Sequence, residues 1–299
     1  MRYVRELAPG QRSQVFVIDT VTGEQQLIHE SEELLFEAPN WTRDGHLVLN
    51  GDGRLWRLRL EPGAEPELIP LEGVPDLNND HVLSPVAEEV FVSANDWHIY
   101  AAPLAGGTVR RVTPDDGLMH FLHGVSPDGS TLAFIGVRMG PGGTLSDMGP
   151  GVVCAMDAAG GEARMLTSDA WSSDGSEYSP DGEWLYLNTE AFSSTPGHAQ
   201  IARMPAGGGP LEQLTFDERV NWFPHLAPDG RSIVYLSYPA GTVGHPPDLP
   251  VKLRIVRDDD WSETRELVDL FGGQGTVNVN SWSPDSRRLA FVAYPIRDI

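Results

Sequence analysis

Short apolar runs of strand length recur along the chain in a fixed order, and each follows a turn built from the same few polar residues. The runs Leu132-Ala133-Phe134-Ile135, Leu185-Tyr186-Leu187, Ile233-Val234-Tyr235-Leu236 and Leu289-Ala290-Phe291-Val292 are rich in β-branched, aromatic and aliphatic side chains. Just ahead of them stand Val125-Ser126-Pro127-Asp128-Gly129, Tyr178-Ser179-Pro180-Asp181-Gly182, Leu226-Ala227-Pro228-Asp229-Gly230 and Trp282-Ser283-Pro284-Asp285-Ser286. Two worn copies, Trp41-Thr42-Arg43-Asp44-Gly45 and Leu83-Ser84-Pro85-Val86, bring the number to six. In each phrase a hydrophobic residue closes one strand, and Pro presets φ for the first corner. Asp or Ser binds the turn backbone, and Gly takes the positive-φ corner. The proline marks (Arg43 in the first) fall at 43, 85, 127, 180, 228 and 284, so the gaps are 42, 42, 53, 48 and 56 residues. A period in this range belongs to a propeller, solenoid or repeat array.

A third run follows in each unit, as in Leu55-Trp56-Arg57-Leu58, His98-Ile99-Tyr100-Ala101, Gln200-Ile201-Ala202-Arg203 and Leu253-Arg254-Ile255-Val256. A glycine-rich or acidic turn then leads to a short fourth run, such as Arg110-Arg111-Val112-Thr113, Arg164-Met165-Leu166-Thr167 or Glu212-Gln213-Leu214-Thr215. Six units of four antiparallel strands predict an all-β, six-bladed β-propeller. The last unit supplies only two strands, while two orphan strands precede the first, at Gln14–Asp19 and Gln25–His29. Pairing the two ends predicts that residues of about 277–299 and 11–29 together complete the sixth blade. That closure removes the open sheet edge and makes residues 1–299 a single expected domain.

Asp and Glu outnumber Lys and Arg by 43 to 21, a formal net charge of −22. Nucleic-acid and anionic-membrane partners both need basic surfaces, so neither is expected. Cys154 is the only cysteine, which excludes an internal disulfide. The first residues, Met1-Arg2-Tyr3-Val4-Arg5-Glu6, lead into no apolar leader, and no run approaches the roughly twenty apolar residues of a membrane span. The expected compartment is the cytoplasm, or the periplasm if a leader has been removed.

The Ser-Pro-Asp-Gly turn, the Leu-Ala-Phe-type strand after it and the Arg-x-Leu-Thr ending resemble the repeat of the TolB-like propeller family across essentially the whole chain. The repeat is also similar to the propellers of prolyl-oligopeptidase-type peptidases, although no Gly-x-Ser-x-Gly elbow occurs here. A third resemblance is to the oligogalacturonate lyases. It implies a metal held inside the propeller by histidines and a glutamine.

Strand alternation sorts the loops onto two faces. The Pro-Asp-Gly and Gly-Gly turns share one. The irregular connections share the other, where a rigid scaffold displays loops that carry function. Two long insertions lie there: Arg138–Gly151, which includes Gly142-Gly143-Thr144-Leu145-Ser146, and Pro239–Pro250, which includes His245. The segments entering each innermost strand also start there. They offer Asn79, Asp80 and His81, then His123, then Asp174 and Glu177, then Asn221, Trp222 and His225, then Gln274 and Asn278. His81 and His123 both lie four residues before their marks, as does Asn280, and so should be equivalent. Glu177 and His225 share a register three before.

Two readings follow. In one, these groups satisfy backbone and water in a narrow wet channel. In the other they bind a small polar, carbohydrate-like ligand at the channel mouth. His81, His123, His225 and Gln274 would then hold a divalent metal (Mn, Zn or Ca), and the three histidines would be the candidates for acid–base work. The chain departs from the lyase pattern where Asn278 and Asn280, not histidines, follow Gln274. A ligand-binding propeller, a protein-interaction scaffold related to TolB and a metal-dependent polysaccharide or oligosaccharide lyase therefore all remain open, and catalysis with them.

Overall fold

The computed structural model describes residues 4–142 and 147–296, so Gly143–Ser146 of the first long insertion and the last three residues lie outside it. Six blades of antiparallel strands surround a central channel, as expected. The first blade runs Phe36–Trp41, His46–Gly51, Arg54–Arg59, Glu67–Ile69 from the axis outward. The inner strands of the next four are Leu77–Leu83, Leu118–Val125, Ser173–Tyr178 and Val220–Leu226.

The sixth blade joins the two ends of the chain. Ser13–Asp19 pairs with Arg288–Ala293, in register from Gln14 opposite Ala293 to Asp19 opposite Arg288, and Gln25–Ser31 lies outside it. Its inner position is filled by a distorted segment with one bridge, Trp282 opposite Leu289. Asn278 and Asn280 side chains there accept from the Gly275 and Trp282 backbones, which bends the segment out of a regular ladder.

The repeated phrase folds as its chemistry dictates. Ser126 Oγ donates to Asp128 Oδ1 at 2.6 Å, the same oxygen accepts from Ser130 N at 3.0 Å, and Gly129 turns the corner with φ 73°. In the last copy Ser286 takes that corner at φ 60°.

Each strand presents alternate residues to two neighbouring blades, so both faces of every sheet are buried and the core is divided into six wedges. One wedge gathers Met119, Ile135, Val153, Leu185 and Leu187 between the third and fourth blades. Another gathers Val15, Val17, Leu47, Leu49 and Val292 across the closing seam. Burying one such side chain contributes about 1.5–3 kcal/mol. The third and fourth blades meet closely at Gly124, where an added Cβ would lie 2.7 Å from the Ser176 carbonyl. Among the described residues, no helix is long and apolar enough to cross a membrane.

Candidate functional site

All five regular inner strands break register once. The ladder shifts between Glu37 and Asn40, Leu77 and His81, Leu122 and Gly124, Asp174 and Glu177, and Trp222 and His225. A bulge re-aims the side chains around it. In the first, fourth and fifth blades it is one motif, Glu37-Ala38-Pro39-Asn40, Asp174-Gly175-Ser176-Glu177 and Trp222-Phe223-Pro224-His225. Its second residue is left-handed in each: Ala38 at φ 54°, Gly175 at 61° and Phe223 at 54°. The residues before and after the turn thereby reach different levels of the channel.

At the irregular face the bulges and long loops enclose a cavity of about 620 Å³. Asn79, Asp80, His123 and Asp174 line it, with Gln274 and Asn278 from the closing segment. Trp97 and Phe121 stand on one side with ring centroids 5.9 Å apart. Trp222 and Phe223 stand on another, and His245 from the second insertion packs against both at 4.5 and 5.2 Å. Two of these aromatic residues, Trp97 at φ 70° and Phe223 at 54°, occupy a backbone region that bulky side chains avoid. Strain of this kind persists where the surroundings enforce it and gathers at functional sites.

The polar groups of the mouth form a connected string. Glu37 Oε1 accepts from Arg5 Nη1 at 2.8 Å and from Asn79 Nδ2 at 3.3 Å. Gln274 Nε2 donates to Asn79 Oδ1 at 3.1 Å, and Gln274 Oε1 meets His245 Nδ1. Opposite, His123 Nε2 lies 2.8 Å from Asp174 Oδ1. Burial alone would lower the His123 pKa, but Asp174 reverses this and raises it. Burial pushes Asp174 up, and His123 more than offsets it, so that carboxyl is held below its ordinary range. Each thus favours the charged form of the other. Burial pushes Asp80 up to about 6 despite the nearby His123. Burial likewise lowers His245, against the pull of Asp174.

The structure gathers eight of the twelve expected site residues at this mouth: Asn79, Asp80, His123, Asp174, Trp222, His245, Gln274 and Asn278. Four lie elsewhere. His81 pairs regularly with Val92 instead of standing in a bulge as His123 does, so equal distance from the mark does not make them equivalent. Its imidazole is wedged between blades with Nε2 3.4 Å from the Val48 carbonyl, and burial lowers its pKa to about 4. Asn221 alternates with Trp222 and faces the other way. It is fully buried, donates to Asp217 Oδ1 at 3.0 Å and accepts from Ser237 Oγ at 2.7 Å. Glu177 and His225 sit deeper and bond each other.

The expected metal set is therefore not assembled. Each imidazole is engaged separately: His225 Nδ1 with Glu177 and Nε2 with the Val277 carbonyl, both at 2.6 Å, His123 with Asp174, and His81 with Val48. Among the described residues no three His, Cys, Asp or Glu side chains converge to hold a metal ion. The residues present do not fit the lyase-type metal.

The channel also opens at the turn face. A cavity of about 580 Å³ there includes Trp41, Tyr178, Leu226 and Trp282, with Glu177 and Asn280 in its wall. His123 lines both cavities and marks where they approach each other.

Arg5, Glu37, Asn40, Trp97, Phe121 and Phe223 were not singled out from the sequence as site residues. Alignment on the worn first mark would have found two. Glu37 lies six before it, as Asp174 and Trp222 do before theirs, and Asn40 lies three before, as Glu177 and His225 do.

Fold and geometry together define a closed six-bladed β-propeller with a polar, aromatic-walled cavity at one mouth of its channel. No family model matches the chain. It is 37% identical to an uncharacterized protein of Agrobacterium fabrum over 288 residues, 95% of this chain and 92% of that one. It superposes with a TM-score of 0.85 on the solved structure of a provisionally named TolB from Agrobacterium tumefaciens, at 34% identity over 95% of this chain and 99% of that one. The chain belongs to the TolB-like propeller family. An oligogalacturonate lyase in complex with manganese shares the fold at a TM-score of 0.57 and 17% identity, covering 90% of this chain and 75% of that one.

Proposed function

We propose that the chain is a binding protein whose cavity at the irregular face takes a small polar, carbohydrate-like ligand. The observation that carries this reading is the combination of Trp97, Phe121, Trp222 and Phe223 with Asn79, Asp80, Asp174 and Gln274 around one space of about 620 Å³. Ligand sites pair an apolar wall with a few placed polar groups, and this volume falls within their range. Rings offer faces for the C–H side of a sugar, while amides and carboxylates meet its hydroxyls. Catalysis is not part of the proposal.

The experiment is a titration of the full chain with neutral mono- and oligosaccharides, followed by tryptophan emission and by the thermal midpoint. A ligand that binds only the native state raises the midpoint with concentration. Saturable quenching together with a rising midpoint supports the reading, and the absence of both across the panel overturns it.

A second reading has its own observation. The apolar wall of the opposite cavity, with Trp41, Leu83, Tyr178 and Trp282, offers a docking place for an extended segment of a protein partner. That reading expects Trp41 and Trp282, not Trp97 and Trp222, to respond to the partner.

A further inference from the structure

The charge around the mouth cavity is one-sided. Its wall holds the carboxylates of Asp80 and Asp174, and none of its described lining residues is Lys or Arg; Glu37, behind Asn79, is already paired with Arg5. Among its described lining residues the basic side chains are His245 and His123, and Asp174 already holds His123 at 2.8 Å. Asp80 accepts a side-chain hydrogen bond from Asn78 Nδ2 at 3.1 Å, and the nearby His123 offsets only part of the cost of its burial. Burying a carboxylate with so little compensation is costly, and an incoming positive charge would relieve that cost. Trp97, Phe121, Trp222 and Phe223 line the same space, and an aromatic ring face attracts a cation.

A second observation is independent of charge. Trp222 is only 6% exposed and lines the cavity, yet its indole Nε1 has no hydrogen-bond partner. A buried N–H without an acceptor is rare in a native fold and calls for an explanation. The atom itself is closed off from solvent, so a ligand oxygen supplies one with a shift of the Trp222 ring toward the cavity.

We propose that the ligand carries a protonated amine, seated between the Asp80 carboxylate and the aromatic rings, beside a hydroxyl or carbonyl oxygen that accepts from Trp222 Nε1. This rests on the binding reading above and narrows it to an amine-bearing polyol of the amino-sugar type. A uronate would bring a second negative charge against Asp80 and Asp174, and a neutral sugar would leave Asp80 as it is.

The test is calorimetric titration of the full chain with four probes: glucosamine, glucose, glucuronate and tetramethylammonium. Glucosamine is expected to bind roughly tenfold tighter than glucose, the scale of one desolvated cation–aromatic and carboxylate contact. Glucuronate is expected to bind least. Asp80→Asn should abolish the preference for the amine, while Trp222→Phe should weaken both sugars and spare tetramethylammonium. Unfolding midpoints of both variants check that the fold survives. Glucose or glucuronate binding as tightly as glucosamine would overturn the inference and leave the cavity as a sugar site. Binding of tetramethylammonium with no sugar bound would keep the preference for a cation and overturn the carbohydrate reading. No binding by any of the four would overturn both.

Discussion

Glu177 Oε2 lies 2.6 Å from His225 Nδ1 across the boundary between the fourth and fifth blades, and both side chains are buried. The other carboxylate oxygen, Oε1, accepts from Leu226 N at 2.8 Å and from Asn280 Nδ2 at 2.7 Å. His225 Nε2 in turn reaches the Val277 carbonyl. One carboxylate thus ties two blades to the closing segment below the mouth. In this reading the pair acts as a ring fastener. Glu177→Ala and His225→Ala should each cost about 3 kcal/mol, the usual penalty for removing one partner of a buried charged hydrogen bond. Urea unfolding measures it. A double-mutant cycle should show the two losses to be far from additive, and ligand affinity at saturating native protein should hardly change.

Arg5 and Glu37 make the matching fastener on the other side of the mouth. Arg5 Nη1 donates to Glu37 at 2.8 Å and to the Gln274 carbonyl, and the guanidinium lies 4.7 Å from the Tyr294 ring centroid. Arg5→Ala leaves a carboxylate buried without its cation, which should cost about 3 kcal/mol. Glu37→Gln in the Arg5→Ala background should recover part of the loss, again read by urea unfolding.

Gly124 tests how tightly the blades approach. Gly124→Ala sets a Cβ 2.7 Å from the Ser176 backbone oxygen, and neither partner is the end of a flexible side chain. The third and fourth blades must separate, at an expected cost of about 2 kcal/mol. An unfolding midpoint equal to that of the parent would show that the wedge has slack.

Asp80 is expected to weaken the fold it belongs to. Its folded pKa of about 6 stands above the ordinary 3.8, so the native state holds a proton that the unfolded chain has released. Its contribution therefore becomes more favourable as pH falls from about 6 toward about 4, and at pH 7 the ionised form is a penalty. Asp80→Asn should stabilise the protein at pH 7 by on the order of 2 kcal/mol and flatten its stability profile across that window. A gain in stability with a loss of binding is the signature of a group kept for its ligand. A loss of stability in Asp80→Asn at pH 7 would contradict this.

How much of this was legible in the sequence follows from where each contact closes. The turn phrase could be read because its bonds are local: Ser126 to Asp128, Ser179 to Asp181 and Ser283 to Asp285 are two residues apart. Ring closure could be read because orphan strands stood at both ends. The aim of the inner-strand side chains could not. His81 and His123 keep the same distance from their marks, yet only His123 falls in a bulge, and the bulge is set by packing between blades. Arg5 and Glu37 escaped because their pairing crosses the seam and the repeat is most worn in the first blade. Asn221 faces away from the mouth because the break in alternation begins only at Trp222, one residue later. His245 was placed in the right loop, but its packing on Trp222 and Phe223 has no sequence signal.

The central claim is that the irregular mouth, and not the turn face, receives the ligand. The chain carries its own reporters: Trp97 and Trp222 line the first cavity, and Trp41 and Trp282 line the second. Indole N–H resonances, assigned by single Trp→Phe changes and followed during titration with glucosamine, distinguish the two ends directly. Shifts at Trp97 and Trp222, with Trp41 and Trp282 unmoved, are the expected result. Shifts confined to Trp41 and Trp282 would contradict it.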